Sequence, residues 1–211
     1  MKNYRYITNV PMKARLPAGA TATPGHAIGY HRSLVAPRAR PYSDCTMKFE
    51  HLIQINDPMN PLIDTITIEQ LWRGLVLRAE TPTLFVPHLD ECTIGERSSG
   101  SGTSSFQRRL RYGDLVIDDV VHLTPLKEVR YEVPAQGEIA ASSLVMKIEA
   151  PTSAVLLVRF CYDDGQGEHT DPANAMYDDF KRSAYQEADI DTVRILRQLA
   201  GEGKLDATRL N

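Results

Sequence analysis

The chain has 211 residues, of which 42% are hydrophobic and 24% are charged, and its formal net charge is -3. This length allows one domain of ordinary size with an appendage, and the composition is that of a globular protein with a sizeable core. The small net charge gives no reason to expect a nucleic-acid partner. No apolar run approaches the roughly 18 residues that a spanning helix requires, so insertion into a membrane is not expected.

Charge is distributed unevenly along the chain. Residues 1–46 contain seven Lys and Arg residues against one acidic residue, Asp44, whereas residues 47–211 carry a formal charge of -9. The first 46 residues lack helical and strand periodicity and are broken repeatedly by Pro and Gly, so we expect a disordered basic extension. We favour Met47 as the true initiator; the alternatives are an organelle transit peptide and a tail that contacts phosphates. Residues 47–211 are then expected to form a single domain.

The cysteines indicate the compartment. Cys45, Cys92 and Cys161 are unclustered, and none has the spacing of a C-x-x-C pair or of a metal site. The sequence therefore predicts no disulfide framework, no metal site and a cytoplasmic location. No motif for a cofactor is present either, so no cofactor is expected.

The first predicted elements are a strand and a helix. Residues 48–56 alternate between apolar and polar side chains, which is typical of a strand. Thr67 can cap the helix that follows, and Gln70 completes a capping box. Pro82 ends this helix. Its predicted apolar stripe consists of Trp72, Leu75, Val76 and Ala79.

A series of strands follows. The predicted strands are 89–97, 105–112, 115–123, 127–133, 142–150 and 154–162. Gly113 and Asp114 form a two-residue hairpin signal, and the Ser- and Gly-rich residues 98–104 are predicted to be a mobile hairpin loop. Turns of hairpin length indicate an antiparallel meander rather than alternating parallel units.

The chain closes with one long helix. Asp171 can cap it, Pro172 suits its first position, and the pattern extends to about Leu199. Its predicted apolar face contains Tyr177, Phe180, Ala184, Tyr185, Ala188, Val193, Ile195, Leu196 and Leu199. Because such a face needs a sheet to lie against, the sequence predicts an α+β fold. In it, a seven-stranded curved antiparallel sheet wraps around the C-terminal helix and encloses an apolar cavity.

Three segments resemble a known family. They are HLIQINDP, EQLWRGLVLRAETPTLFVP and RYGDLVIDDVVHL. The resemblance is to the AtaL-like family of largely uncharacterised bacterial and fungal proteins, and it covers residues 47–211. That family belongs to the SRPBCC superfamily of helix-grip folds, with START lipid-transfer domains, birch pollen allergen and polyketide cyclases. The resemblance implies an apolar pocket between sheet and helix but no established activity. Its fungal namesake is encoded among secondary-metabolite genes, which favours an aromatic or polyketide-like ligand.

One basic side chain is predicted on the inner face of the sheet. Arg108 shares a strand face with apolar residues, and a buried guanidinium needs a carboxylate. Asp118 or Asp119 on the next strand is the candidate, but both faces of that strand are nearly equally apolar, so its register stays open. The two interpretations are an ion pair at the sheet rim and an anchor for an anionic or carbonyl-bearing ligand. His122 is a further candidate for the same cluster.

The other candidate site residues are histidine, tyrosine and apolar side chains. His51 is either a hydrogen-bonded core histidine or a ligand contact and general base. Tyrosine hydroxyls can orient a ligand, and the flexible Met146 suits a pocket that accepts several shapes. The predicted ligand-binding set is His51, Ile53, Trp72, Arg108, Leu110, Tyr112, Asp119, Tyr131, Met146, Val158, Phe160, Tyr177 and Tyr185. No catalytic residue is assigned, because no standard catalytic signature is present.

Three functions remain open from the sequence. The leading hypothesis is the binding of a small hydrophobic molecule between the sheet and the last helix. The second is an enzyme of the cyclase or dehydratase kind, in which His51, Arg108 and an Asp polarise a carbonyl and move protons. The third is a protein-interaction module, and a homodimer through an edge strand is also open.

Overall fold

The computed structural model describes residues 49–165 and 172–207. The predicted basic extension, 1–46, lies outside these residues. The elements in chain order are β1 (Phe49–Asn56), α1 (Ile68–Glu80), β2 (Glu91–Gly100), β3 (Thr103–Tyr112), β4 (Leu115–Thr124), β5 (Glu128–Val133), β6 (Ser142–Thr152), β7 (Val155–Asp163) and α2 (Pro172–Gly201). A short 3-10 helix, Pro82–Leu84, follows α1.

The seven strands form one antiparallel sheet in the order β1-β7-β6-β5-β4-β3-β2. Shifts of register in β1, β2 and β6 interrupt the ladders, and such irregularities bend a sheet. The long helix α2 contacts β1 and α1, and α1 also contacts β5. The predicted α+β class, the seven antiparallel strands and the closing helix are confirmed.

The start of α1 follows the predicted capping box. The Gln70 amide donates to Thr67 Oγ1 at 3.1 Å, and the Thr67 amide donates to Gln70 Oε1 at 2.9 Å. Just before it, Asn56 closes the loop between β1 and α1, because its side chain bonds the backbone of Ile66 at 2.8 and 3.0 Å. These bonds satisfy backbone groups that the helix start leaves without intrahelical partners.

The buried stripe of α1 is rotated from the predicted one. Its buried residues are Leu71, Gly74, Leu75 and Ala79, whereas Trp72 and Val76 are only partly buried. The cause is the close approach of α2 at Gly74. A Cβ atom at that position would lie 2.3 Å from Leu196 Cδ2, so the absence of a side chain lets the two helices pack.

The β2–β3 connection is shorter than predicted. Residues 98–104 do not form a long loop, because β2 extends to Gly100 and β3 begins at Thr103. The turn between them has Gly102 at a φ of +84°, a left-handed conformation that glycine adopts without strain. The predicted hairpin at Gly113 is confirmed, with β3 ending at Tyr112 and β4 beginning at Leu115.

The apolar face of α2 is used only in part. Tyr185, Val193 and Leu196 are buried in the main core cluster, which α2 joins from Tyr185 onward. Phe180, predicted to lie on this face, is 71% exposed, and Met176 is 76% exposed. The prediction for Phe180 was wrong because the first turns of α2 extend beyond the part of the core that its later turns cover.

Candidate functional site

The strand register brings the predicted sheet residues to one inner face. One row crosses six strands through Phe49, Tyr162, Leu144, Tyr131, Val121 and Phe106. The neighbouring row contains His51, Phe160 and Met146, and the next contains Ile53 and Val158. Most of these side chains are buried in the main core cluster, beneath the helices. The sheet thus presents a mostly apolar surface to α1 and α2.

Arg108 and Asp119 form a buried ion pair on the inner face. Arg108 Nε donates to Asp119 Oδ1 at 2.9 Å, Nη2 donates to Oδ2 at 2.5 Å, and Nη1 donates to the Ala79 carbonyl at 2.7 Å. The residues are 5% and 4% exposed. Burial alone would lower the pKa of Arg108, but the Asp119 pair outweighs it and the pKa is raised. The carboxylate that the sequence left open is therefore Asp119, since Asp118 lies opposite Arg109 on the other face.

Tyr131 lies between two guanidinium groups. Its ring centroid is 4.9 Å from the Arg108 guanidinium carbon and 5.4 Å from that of Arg78 on α1. Tyr131 is 5% exposed, and its hydroxyl has no hydrogen-bond partner among the described residues. Arg78 was not predicted, although its position three residues after Leu75 places it on the buried stripe of α1.

A second buried carboxylate lies on α2. Asp189 is 1% exposed, and its Oδ1 accepts a hydrogen bond from the Tyr162 hydroxyl at 2.5 Å. Burial raises the pKa of Asp189 to about 7, against the opposing effects of the Tyr162 hydrogen bond and the positive charge of Arg78. Burial and the Asp189 charge raise the pKa of Tyr162 well above its ordinary value. Asp189 was also missed, although it is four residues from the buried Tyr185.

His51 connects this carboxylate to the edge of the site. Its Nδ1 lies 3.4 Å from Asp189 Oδ2, and its side chain is 19% exposed. Burial lowers the pKa of His51. Tyr162, Asp189 and His51 therefore form a chain of polar groups that leads from the buried interior to a partly exposed histidine.

Aromatic rings cover the same part of the sheet. The Tyr162 and Tyr185 rings are stacked with centroids 4.1 Å apart and an interplanar angle of 4°. Phe49 lies 5.8 Å from the Tyr162 ring and 6.1 Å from the Tyr185 ring. The two tyrosine rings are nearly parallel, and the Phe49 ring is inclined to them by 32° and 28°, so the three rings form an aromatic cluster beside the polar chain.

The remaining predicted residues are placed elsewhere. Leu110 and Tyr112 belong to a smaller core cluster with Leu89, Ile117 and Ile139, apart from the main cluster. Trp72 is partly buried and packs against the main cluster. The side chain of Tyr177 lies outside the described part of the structure. His122 does not join Arg108, since its side chain is 44% exposed and lies 3.4 Å from Glu132.

Two kinds of feature are absent from the described segments. Within residues 49–165 and 172–207, no three His, Cys, Asp or Glu side chains are grouped so that they could hold a metal ion. None of the helices in these segments combines the length and the apolar character needed to cross a bilayer.

An antiparallel sheet folded around a long C-terminal helix defines the class of helix-grip proteins. Within that class, the model of one family, described as acetylaranotin biosynthesis cluster protein L (AtaL), matches residues 53–203. The chain belongs to this family. No curated protein sequence matches it.

Several solved structures are similar in fold. The di-domain ARO/CYC StfQ from the steffimycin biosynthetic pathway is 15% identical with a TM-score of 0.48. The alignment covers 74% of this chain and 51% of StfQ, so the chain spans about half the length of that protein. The 18 kDa protein CC1736 from Caulobacter crescentus is 14% identical with a TM-score of 0.49, over 72% of this chain and 99% of that one. The Zhui aromatase/cyclase from Streptomyces sp. R1128 is 13% identical with a TM-score of 0.44, over 76% and 96%.

Proposed function

We propose that the protein binds a small hydrophobic molecule, aromatic or polyketide-like, between the sheet and α2. The observation that carries the proposal is that, among the described residues, two buried hydroxyl groups lack hydrogen-bond partners, those of Tyr131 and Ser142. A buried polar group without a partner costs about 1–3 kcal/mol, and native proteins retain few of them. Polar atoms of a ligand would supply the missing partners.

The two hydroxyl groups belong to one part of the inner face. Tyr131 is paired with Leu144 in the register, and Ser142 is two residues before Leu144 on the same face of β6. Such diagonal neighbours lie about 7–8 Å apart, which is within reach of a single small molecule. The sites where bound molecules are oriented in proteins are usually apolar, with a few polar groups of this kind.

The surrounding walls favour a planar ligand. Met146, Val158 and Phe160 are fully buried on the inner face, and the stacked rings of Tyr162 and Tyr185 lie beside them. Aromatic surfaces pack well against flat rings. The family description, which names a biosynthesis cluster for its namesake, supports a ligand of the secondary-metabolite type.

A neutral fluorescent probe tests the proposal. N-phenyl-1-naphthylamine should bind the folded protein saturably, with a blue shift in its emission. Val158→Leu should weaken binding several-fold, because the added methylene occupies space on the inner face. Val145→Leu is the matched control: both valines are 0% exposed, but Val145 is opposite Cys161 on the outer face.

Two results would contradict the binding proposal. One is the absence of saturable probe binding to protein that melts cooperatively. The other is an equal loss of binding in the two valine variants. Native mass spectrometry of the protein purified from its own host gives a second measurement, in which we expect an additional small-molecule mass.

A cyclase- or dehydratase-like enzyme is the second candidate, and Asp189 is the observation that favours it. A carboxyl group with a pKa of about 7 exchanges protons readily at neutral pH. In such a role the ionised Asp189 would remove a proton from the carbon next to a ligand carbonyl and then return it. The Tyr162 hydroxyl would donate to Asp189 while the carboxyl group is ionised. His51 would connect Asp189 with solvent.

Deuterium exchange into a simple ketone tests this second candidate. In D2O, the wild-type protein should accelerate exchange at the carbon next to the carbonyl of 2-tetralone, measured by proton NMR. Asp189→Asn should abolish the acceleration, because the amide cannot accept the proton. Equal rates with the wild type and with Asp189→Asn would contradict the role of Asp189.

A further inference from the structure

Arg78 differs from the buried Arg108 in how its positive charge is compensated. The Arg78 guanidinium lies 5.4 Å from the centroid of the buried Tyr131 ring, and its Nε donates to Thr192 Oγ1 at 3.4 Å. Thr192 is 2% exposed, so Arg78, a residue of α1, contacts a buried residue on both β5 and α2. Across residues 49–165 and 172–207, no carboxylate is paired with Arg78.

The other arginines with buried or half-buried side chains bond either a carboxylate or backbone carbonyls. Arg73 donates to the Leu205 carbonyl, and Arg197 donates to those of Asp64 and Ile55. Arg108 is paired with Asp119, Arg109 with Asp118 and Arg159 with Glu149. The more a charge is removed from water, the more it needs an opposite charge or strong hydrogen bonds. Arg78 is half-buried, and its one hydrogen bond within the described part of the chain is the long one through Nε, so the two terminal nitrogens have no partner there.

The nearby carboxyl group of Asp189 is not paired with Arg78. It is hydrogen-bonded to Tyr162 and adjacent to His51, and Arg78 affects it only by charge at a distance. Arg78 also acts on Tyr162 and Tyr112 in this way. The positive charge is therefore directed toward a region of tyrosine side chains rather than toward a single partner.

Tyr131 provides an independent sign of a missing group. Its hydroxyl is buried without a partner, on a ring that faces the Arg78 guanidinium. A hydroxyl can donate to an oxygen anion, and a guanidinium can donate two parallel hydrogen bonds to the same group. The two side chains present complementary donors to one acceptor.

We propose that Arg78 and the Tyr131 hydroxyl bind an anionic oxygen group of the ligand, such as a carboxylate or an enolate, while its aromatic body lies against the apolar inner face. This inference rests on the proposed binding function and assigns its ligand class: an acidic aromatic molecule rather than a neutral one. The ligand supplies the negative charge that the fold itself does not place beside Arg78.

A matched pair of probes separates this inference from the binding proposal. N-phenyl-1-naphthylamine and 8-anilino-1-naphthalenesulfonate share the same two ring systems, and only the second carries an anionic group. The wild type should bind the sulfonate about tenfold more tightly, which corresponds to about 1.4 kcal/mol, a typical gain for a charge-assisted hydrogen bond. Fluorescence titration at fixed ionic strength gives both dissociation constants.

Substitutions show which side chains cause the preference for the anionic probe. Arg78→Gln should reduce the affinity for the sulfonate to that for the neutral probe and leave the neutral probe bound. Tyr131→Phe should reduce the affinity for the sulfonate a few-fold. Arg194→Gln removes the same charge from an exposed position of α2, where Arg194 is bonded to Asp191, and should change neither constant.

The outcomes are distinct. Equal affinity of the wild type for the two probes, or an equal effect of Arg78→Gln and Arg194→Gln, overturns the inference and leaves the binding proposal standing. Failure of both probes to bind the folded wild type overturns the two together. Should Arg78→Gln fail to melt cooperatively, Arg78→Lys keeps the charge without the paired donors and should bind the sulfonate at an intermediate level. 2-Naphthoate should displace the sulfonate at about tenfold lower concentration than its neutral methyl ester does.

Discussion

The interior contains two arginine–aspartate regions that differ in how their charges are compensated. On β3 and β4, Arg108 and Asp119 satisfy each other through two hydrogen bonds, and the Ala79 carbonyl accepts a third. On α1 and α2, Arg78 has no carboxylate partner within the described residues, and Asp189 is bonded to Tyr162 instead. The first region is complete without a ligand. The second has no such pairing among the described residues, and it is the region to which we assign the proposed ligand.

The difference follows from the elements that carry each region. Arg108 and Asp119 are opposite each other in an antiparallel ladder, so backbone pairing fixes their distance. Arg78 and Asp189 lie on two different helices, whose side chains meet only through packing. Backbone pairing in a ladder brings two charges into contact, whereas the packing of two helices does not by itself pair the charges that they carry.

The largest expected effect comes from breaking the compensated pair. Asp119→Ala leaves Arg108 charged and buried, which should lower the free energy of unfolding by about 3–5 kcal/mol. The double variant Arg108→Met with Asp119→Leu should recover most of that loss, because apolar side chains need no partner. Urea unfolding at neutral pH measures both. A small loss in the single variant would contradict the structural role of the pair.

The second region should make stability depend on pH. The pKa of Asp189 is about 7 in the folded protein and 3.8 in its ordinary state, so between these values the folded protein retains a proton that the unfolded chain has lost. Stability therefore falls as the pH rises through this window, and the whole penalty is present above it.

Asp189→Asn removes this dependence. The free energy of unfolding of the variant, taken relative to that of the wild type, should rise by up to about 4 kcal/mol from the acid to the alkaline side of the window. Paired urea titrations across the pH range measure the difference, in which the titration of groups that do not contact Asp189 cancels. His51 and Tyr162, which contact Asp189, and Arg78, which acts on it by charge, are present in both proteins. A constant difference across the range would refute the raised pKa.

Smaller changes in stability are expected when the hydroxyls of Tyr162 and Tyr131, which lie in one row of the sheet, are removed. Tyr162→Phe removes a hydrogen bond to Asp189 and should cost about 1–2 kcal/mol. Tyr131→Phe removes a hydroxyl that has no partner among the described residues, so stability should be unchanged or rise by about 1 kcal/mol. Thermal or urea unfolding of the two variants side by side distinguishes them. Equal losses would show that the Tyr131 hydroxyl is satisfied after all.

The smallest effect is expected on the outer face. Arg109 is paired with Asp118 at 2.7 Å, directly beside the buried pair in sequence, but its side chain is 65% exposed. Exposed pairs gain little because water and salt screen them. Arg109→Ala should therefore leave the urea midpoint unchanged within error, in contrast to Asp119→Ala.

The local features of the fold could be predicted from the sequence because each depends on neighbouring residues. Thr67 and Gln70 specify a helix start, and Gly113 specifies a tight turn. The alternation of β6 and β7 shows which residues share a face. The connection at 98–104 was misjudged because Ser and Gly are poor strand formers, yet pairing between β2 and β3 continues nearly to the turn.

The site was harder to predict because it depends on contacts between distant elements. Whether Arg108 meets Asp118 or Asp119 is a matter of register, which the even apolarity of β4 does not reveal. Arg78 and Asp189 were missed although both occupy stripe positions, three residues after Leu75 and four after Tyr185. A charged residue on an otherwise buried stripe is the signal that could have found them.

The pairing of β1 with β7 determines when the sheet can be completed during synthesis. Phe49 is aligned with Tyr162, so the first strand is paired with the last one, more than half the chain away. During synthesis, β1 leaves the ribosome long before its partner exists, and no part of α2 is yet available to cover it. The nascent chain must therefore wait for its final third before the sheet can close, a delay typical of folds with distant pairings.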